Sequence, residues 1–351
     1  MEGISKVLLD QLLAIFLSAC FGSFVSWIAW MKGYFSLPKH LGDNHALRLK
    51  SVLMAFGIFL VIGVIVVPGI YAIWVFWEKG SFMHSTEIKL SPESHAWANL
   101  AIIMSTGLAL MIYYKSLKKS EKEAVWGSSS SNKNFNLETA VQDNKVMQDF
   151  DLESLSMGPD HSQTVKAAPI ESDYGSKDCV NLLSSTAVSR FKQNAADFLM
   201  GSLTWVIAYP WIVVVGQLLA VLIAFIYSGP LPDQVAVKHL KDLSQHPILF
   251  SLTALAVFSL VPMIEELLFR GFLQSWLKNK MNRFQAIILT SLIFASFHFS
   301  SSQGIENIEF VFSLFLLSCF LGFIKERQQS LWASIGLHST FNFISILMII
   351  F

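Results

Sequence analysis

The chain has 351 residues, of which 53% are hydrophobic and 14% are charged, and its mean hydropathy is +0.52. An average soluble domain is roughly 25% charged, so this composition indicates an integral membrane protein. The 25 basic and 25 acidic residues give a net charge of zero, which argues against a nucleic-acid partner or a strongly charged substrate.

Apolar stretches long enough to cross a bilayer recur along the chain. A membrane-spanning helix needs about 20 such residues, and the pattern predicts an all-α, polytopic membrane bundle of about eight helices. The predicted spans are residues 11–31, 51–77, 96–114, 198–228, 248–277, 284–300, 308–324 and 331–350. The first four contain no Asp, Glu, Lys or Arg, so the ionisable residues within spans lie in the second half.

The spans fall into two groups. Residues 1–114 carry three N-terminal helices, and residues 198–351 carry five more. Between them, residues 115–197 are rich in serine and charge, beginning with "KSLKKSEKEAVWGSSSSNK". Such a composition is typical of a disordered linker, here on the cytoplasmic side.

Basic residues in the connections predict the orientation, because lysine and arginine collect on the cytoplasmic side. They lie between spans one and two, after span three, between spans five and six, and between spans seven and eight. All four groups fall on one side of an eight-span bundle. We therefore expect that side to be cytoplasmic, with both termini outside.

Three separate spans of the second half carry polar groups at similar depth. Glu265 lies in "VPMIEELLFRGFL", about 18 to 20 Å from the basic end of span five, counting 1.5 Å per residue. His298 lies at a similar depth in span six, and His338 and Asn342 lie in span eight. An intramembrane ionisable residue is by default a functional candidate, so the coincidence indicates a site.

Spacing within the spans refines that site. Glu266 and Arg270 are four residues apart and share a helix face, so they are expected to form an ion pair. Glu265 is turned about a quarter of a circle from Glu266 and points elsewhere. His338 and Asn342 are also four apart and are expected to converge.

The motifs "EELLFRGFL", "FASFH" and "HSTFN" resemble the EExxxR, FxxxH and HxxxN/D pattern of the CaaX-processing and bacteriocin-processing membrane peptidases, which include the type II CaaX prenyl endopeptidases. The motifs stand in the family order over about residues 200–350, so the resemblance implies that the five helices of residues 198–351 form an intramembrane peptidase domain. The resemblance implies an intramembrane endopeptidase that hydrolyses a peptide bond near the membrane.

The resemblance also implies roles for the six motif residues. Glu265 matches the glutamate that activates water, and His298 the histidine that shares this work. His338 and Asn342 match the pair that holds the carbonyl oxygen, while Glu266 and Arg270 match a supporting ion pair. The chemistry agrees, because peptide hydrolysis needs a base for water and donors for the developing oxyanion.

Other functions remain open at this point. Glu265, His298 and His338 would also suit a zinc-dependent metalloendopeptidase with an open water position, although Asn342 has an oxyanion role and no zinc role, so no cofactor is the favoured expectation. A proton-coupled transporter also keeps intramembrane carboxylates and histidines, and some relatives of the family are non-proteolytic scaffolds or immunity proteins.

The expected partners are the lipid bilayer and a peptide or protein substrate, which a lipid modification could anchor. The expected location is the inner membrane of a bacterium. Because the depth count places Glu265 and His338 nearer the basic ends of their spans, the site is expected to open towards the cytoplasm.

Overall fold

The computed structural model describes residues 2–38, 47–79, 91–127, 176–227, 235–300 and 304–350. Within these ranges the chain is almost entirely helical and contains no strand. Helix is the expected choice, because a segment surrounded by lipid must satisfy its own backbone hydrogen bonds.

Thirteen α-helices occur in the described part of the chain, and three π-helical segments interrupt them. The α-helices are α1 (Glu2–Met31), α2 (Leu49–Leu60), α3 (Val67–Lys79), α4 (Pro92–Ser116), α5 (Lys119–Trp126), α6 (Ser176–Ile226), α7 (Val235–Asp242), α8 (Pro247–Leu255), α9 (Val261–Glu266), α10 (Ser275–Leu277), α11 (Arg283–Ser296), α12 (Glu306–Gln328) and α13 (Leu331–Ile350). The π-helical segments are Val61–Val66, Ala256–Leu260 and Leu267–Gln274.

Seven helices among the described residues are long and apolar enough to cross a membrane, which confirms the predicted polytopic helical bundle. They are Leu9–Met31, Leu49–Trp74, Pro92–Ser116, Val188–Ile226, Pro247–Leu277, Asn307–Gln328 and Leu331–Ile350. The predicted sixth span, residues 284–300, is shorter in the structure. Its helix, α11, has only 14 residues and covers roughly 21 Å at 1.5 Å per residue.

The predicted disordered linker at residues 115–197 differs from the structure at both ends. Residues Lys119–Trp126 form α5, whose Val125 side chain is completely buried. The chain is helical again from Ser176, where α6 begins. The charges of "KSEKEAVW" concealed the apolar side of a short helix, and residues 128–175 of the linker lie outside the described residues.

Contacts divide the chain into two units. The first comprises Met1–Gly127 and Ala196–Phe351, so the three N-terminal membrane helices belong to the same unit as the motif-bearing helices. The second is Ser128–Ala195, and its described part is the N-terminal portion of α6.

The helix that carries the first motif, Pro247–Leu277, alternates between α and π geometry and is called the motif helix below. π segments flank α9 on both sides, so Glu265 and Glu266 lie between two irregular turns. Pro262, in the first turn of α9, lacks the N–H that a regular helix would use. π-helical turns are rare in proteins as a whole, and those that occur are often found at functional sites.

Contacts between the motif helix and α12 show that the two helices run in the same direction. Arg270 contacts Ser318, and Gln274 contacts the carbonyl oxygen of Gly322, so both pairs are 48 residues apart. A constant separation requires parallel helices. The short α11 and the turn after it therefore return the chain across the bundle, as the eight-span topology predicts.

Small residues bring α13 close to α6. A Cβ atom built on Gly336 would overlap the carbonyl group of Phe198, and one built on Gly201 would overlap that of Ala333. Such small residues permit the close helix packing that is common in membranes. This contact fixes the part of α13 that carries His338.

Candidate active site

Glu265 lies between two histidines. Its Oε1 atom is 3.7 Å from Nε2 of His298, and its Oε2 atom is 3.7 Å from Nε2 of His338. These separations exceed a direct hydrogen bond, and a water molecule placed between Glu265 and either imidazole would reach both. The carboxylate of Glu265 and the two imidazoles, which the sequence placed at similar depth, therefore meet at one point in the structure.

The hydrogen bonds of the two imidazoles define their orientation. Nδ1 of His298 lies 2.9 Å from the carbonyl oxygen of Phe294, which can only accept, so Nδ1 is the donor. Nδ1 of His338 donates in the same way to Oε1 of Glu266 at 2.8 Å. Both Nε2 atoms are thereby directed towards Glu265, where each can accept a proton or, once protonated, donate one.

Glu266 and Arg270 form the ion pair that their spacing predicts, with Nη1 of Arg270 2.8 Å from Oε1 of Glu266. Both side chains are completely buried. Nη2 of Arg270 also donates to the hydroxyl of Ser318 at 2.6 Å, and the guanidinium lies 4.5 Å above the ring of Phe294. The pair therefore connects the motif helix, α11, α12 and, through His338, α13.

Asn342 lies one turn from His338 on α13, but the two side chains contact different groups. The amide nitrogen of Asn342 donates to the carbonyl oxygen of Val257 at 2.9 Å. Val257 belongs to the first π segment of the motif helix, so Asn342 bonds to its irregular backbone. An amide nitrogen carries two N–H groups, and this bond uses one of them.

The turn that follows His298 is held by Asn307, a residue that the sequence did not single out. Its side-chain oxygen accepts from the backbone N–H of Ser300 at 2.9 Å, and its nitrogen donates to the Ser300 carbonyl at 2.5 Å and to that of Gly304 at 3.1 Å. Asn307 is 3% exposed. A buried amide that holds a turn two residues from His298 is a candidate positioning residue.

A second group that the sequence did not single out extends the polar face of the motif helix. Gln274 and Lys278 continue the spacing of four residues that begins at Glu266 and Arg270, and both contact Glu326 on α12. The signal was present, because Ser318, Gly322 and Glu326 repeat the same spacing on α12. The polar residues of the two helices, with Gly322 leaving room for Gln274 between Ser318 and Glu326, indicate that these faces pack against each other.

The zinc hypothesis requires a three-ligand set. Over the ranges that the structure describes, no group of three or more His, Cys, Asp or Glu side chains is arranged to hold a metal ion. Nε2 of His298 and Nε2 of His338 each lie 3.7 Å from a Glu265 oxygen, and each Nδ1 bonds to a protein acceptor. Histidines that bind zinc bond in this way through their second nitrogen, so zinc stays an alternative for experiment to decide, and the reaction proposed below uses only protein groups.

Glu265 and His298 differ from the supporting pair in exposure. The Glu265 side chain is 18% exposed and that of His298 is 27% exposed, whereas Glu266 and Arg270 are completely buried. A half-buried carboxylate next to two imidazoles can take a proton from water and pass it on. Glu266 and Arg270 are closed off from solvent, and their bonds go to each other, His338 and Ser318.

Comparison with protein families supplies an independent observation. Residues 247–344 match the family model described as "Type II CAAX prenyl endopeptidase Rce1-like". The matched region begins with the motif helix and ends two residues after Asn342, so it includes all six motif residues. No curated protein and no solved structure matched the chain.

Proposed function

We propose, from the type II CAAX prenyl endopeptidase Rce1-like domain that the chain carries at residues 247–344, that Glu265 performs peptide hydrolysis within the membrane. The domain and the seven apolar helices make the chain a multi-pass membrane protein of the intramembrane protease class. One observation carries the assignment of the site, namely that both Nε2 atoms face the two oxygens of Glu265.

Glu265 acts as the general base in the proposed reaction. A water molecule between Glu265 and His298 gives a proton to the carboxylate, and its oxygen forms a bond to the carbonyl carbon of the substrate. The electron pair of the C=O double bond moves to the carbonyl oxygen. When the C–N bond breaks, Glu265 returns the proton to the leaving nitrogen, which restores the enzyme.

Two donors are available for the developing oxyanion. The second N–H of Asn342 is one, and His338 is the other when its Nε2 carries a proton. Donors placed in advance stabilise an oxyanion strongly, and the removal of one commonly costs about 100- to 1000-fold in rate. This role for His338 and Asn342 is supported by their position on one face of α13, next to α9.

Glu266 and Arg270 support the site without touching the substrate. Glu266 holds Nδ1 of His338, and Arg270 holds Glu266, Ser318 and the ring of Phe294. Such partners fix both the orientation of an imidazole and the position of its proton, which is the role of the buried acid in other hydrolytic sites.

The substrate class proposed is a membrane-associated peptide or protein, which a prenyl or acyl chain could hold at the bilayer surface. The test is a comparison of membrane peptides from cells that contain the wild-type protein or the Glu265→Gln variant. We expect peptides with new C-termini only with the wild type. Identical peptide sets would contradict the proposal.

A transporter is distinguished by a separate measurement. Purified protein in liposomes is expected to cleave a co-reconstituted membrane peptide without moving protons across the bilayer. Proton flux that Glu265→Gln abolishes, in the absence of cleavage, would instead identify a proton-coupled transporter.

A further inference from the structure

We propose that Phe56 of α2, a helix that lies outside the matched region 247–344, is a positioning residue for His298. Its ring belongs to a cluster of aromatic side chains that ends at the imidazole of His298. A positioning residue acts through its neighbours and does not touch the substrate. The inference rests on the proposed function only in regarding His298 as part of the reacting site.

His298 lies just beyond the end of a helix. α11 ends at Ser296, and His298 is the second residue of the turn that follows. Short backbone hydrogen bonds hold this turn, among them the bond that the N–H of His298 donates to the carbonyl oxygen of Ala295 at 3.1 Å. The position of the imidazole therefore depends on the side chains that pack around the turn, because the ladder of hydrogen bonds of a regular helix stops before it.

The imidazole of His298 packs on the ring of Phe294, one helical turn before it. The two ring centroids are 4.7 Å apart, and Nδ1 of His298 bonds to the backbone carbonyl of the same residue. Phe294 is completely buried, with the guanidinium of Arg270 4.5 Å from its ring centroid. The ring of Phe269 meets it edge to face, with centroids 5.1 Å apart. A displacement of Phe294 would therefore move His298.

Phe56 supports this arrangement from α2. Its ring meets that of Phe269 at a centroid distance of 5.4 Å and an interplanar angle of 87°. Edge-to-face contact is one of the favoured geometries of aromatic pairs, because the positive ring edge faces the negative ring face. Phe269 is 2% exposed and contacts both Phe56 and Phe294. A first series of ring contacts thus connects α2 to His298.

A second series of contacts passes through Phe297, the residue before His298. Its ring packs on that of Phe269, with centroids 5.5 Å apart, and on that of Phe56, with centroids 6.2 Å apart. Phe297 is the residue at which α11 ends, so its anchored ring helps to fix where the turn begins. Phe56 therefore acts on both the residue that His298 packs against and the residue that precedes it.

α2 is itself held in place, as a support must be. Val52 and Ala55 are almost completely buried in one core with residues of the motif helix. The hydroxyl of Ser51 donates to Oε1 of Glu121 on α5 at 2.7 Å, and the hydroxyl of Tyr113 on α4 donates to the Ser51 carbonyl at 3.1 Å. These contacts make the N-terminal helices part of the structure that surrounds the site.

Ordinary core packing is the competing explanation for Phe56, and the two explanations predict different results. Packing alone predicts that loss of the ring lowers stability and leaves the rate of the folded protein unchanged. Positioning predicts a lower rate, because a displacement of about 1 Å at a catalytic group can cost about 100-fold. Leucine and methionine at position 56 keep apolar volume and lack the ring, whereas tyrosine keeps the ring.

The first measurement is cleavage of a co-reconstituted membrane peptide by the full-length variants. Phe56→Leu and Phe56→Met are expected to lower kcat at least about tenfold with little change in KM, and Phe56→Tyr is expected to lie closer to the wild type. The matched control is Phe24→Leu, which removes a 57% exposed ring of α1 and should leave kcat unchanged. Wild-type kcat in folded Phe56→Leu and Phe56→Met proteins would overturn the proposal.

The second measurement needs no catalysis and so stays decisive if the chain proves to lack protease activity. Protein with ¹⁵N-labelled histidine is studied by NMR, and the imidazole signals of His298 and His338 are identified by their loss in His298→Gln and His338→Gln. Phe56→Leu and Phe56→Met should shift the His298 signal more than that of His338, which Glu266 holds, while Phe24→Leu shifts neither. An unshifted His298 signal, or equal shifts of both imidazoles, would overturn the role of Phe56.

Discussion

Nδ1 of His338 lies 2.8 Å from Oε1 of Glu266, a carboxylate oxygen that also receives Nη1 of Arg270 at 2.8 Å. One completely buried oxygen therefore joins a histidine of α13 to the motif helix. The two adjacent glutamates consequently have different surroundings. Glu266 bonds to His338 and Arg270, whereas Glu265 is 18% exposed and lies between the Nε2 atoms of His298 and His338.

Replacement of Glu266 by glutamine tests the bonds that Glu266 makes. The variant keeps the volume of the side chain but leaves the charge of Arg270 buried and uncompensated, which typically costs about 3–5 kcal/mol. We expect a lower unfolding temperature in detergent together with loss of activity.

An Arg270→Lys variant keeps the positive charge but cannot bind Glu266 and Ser318 through one planar group or stack on Phe294 in the same way. It is expected to resemble Glu266→Gln. Normal thermal stability and activity in both variants would show that the pair does not support the site.

Close packing between α6 and α13 is tested at Gly336. A Gly336→Ala variant places a Cβ atom on the carbonyl group of Phe198, so α13 must shift with His338. We expect a loss of stability of about 1–3 kcal/mol, the usual range for overpacking, together with reduced activity.

The matched control is Gly57→Ala, because nothing lies within 4 Å of the position that its Cβ atom would occupy. The control should be neutral or should stabilise the helix by up to about 1 kcal/mol, the difference between the two residues in helix propensity. Equal effects of the two substitutions would exclude the packing explanation.

Asn307 is predicted to position His298 through the turn that it holds. Removing its amide in Asn307→Ala should lower kcat at least about tenfold with little change in KM, because a displacement of about 1 Å at a catalytic group can cost about 100-fold. Asn307→Asp keeps the acceptor for the Ser300 N–H and loses both donors. Its kcat should therefore lie between that of the wild type and that of Asn307→Ala.

The exposed Asn279 supplies a control for this experiment, since Asn279→Ala changes the same residue type outside the site. A loss of stability in Asn307→Ala without a change in kcat would show that Asn307 has only a structural role.

Metal dependence provides a further prediction. Peptide cleavage should continue after dialysis of the purified protein against a strong chelator, because the proposed reaction uses only Glu265, the two imidazoles and Asn342. Metal analysis of the active protein should find less than one zinc per chain. One equivalent of zinc, lost together with activity and restored with it, would favour the metalloendopeptidase.

Much of the fold and the candidate residues could be predicted because the membrane simplifies the pattern. Long apolar stretches identify spans directly, and charged groups such as Glu265 and Arg270 are costly enough in lipid to stand out. The ion pair between Glu266 and Arg270 is local to one helix, so a spacing of four residues was sufficient to predict it.

Contacts between helices were harder to predict. The sequence placed His338 and Asn342 on one face of α13, but only the structure shows that one contacts Glu266 and the other the Val257 carbonyl. The π segments that expose this carbonyl have no clear sequence signature. Likewise, α5 was interpreted as linker because its single buried valine is surrounded by charge.

The most direct test of the central claim compares two conservative substitutions in purified protein reconstituted with a membrane peptide. Glu265→Gln removes the proposed base. Glu93→Gln makes the same change at an exposed glutamate in the first turn of α4, which pairs with His246. Cleavage is measured by mass spectrometry of the products. We predict that Glu265→Gln lowers the cleavage rate by at least about 100-fold, as expected for loss of a general base, while Glu93→Gln cleaves at the wild-type rate. A Glu265→Gln protein that is folded and still cleaves at the rate of the Glu93→Gln control would contradict the assignment of Glu265 as the catalytic base.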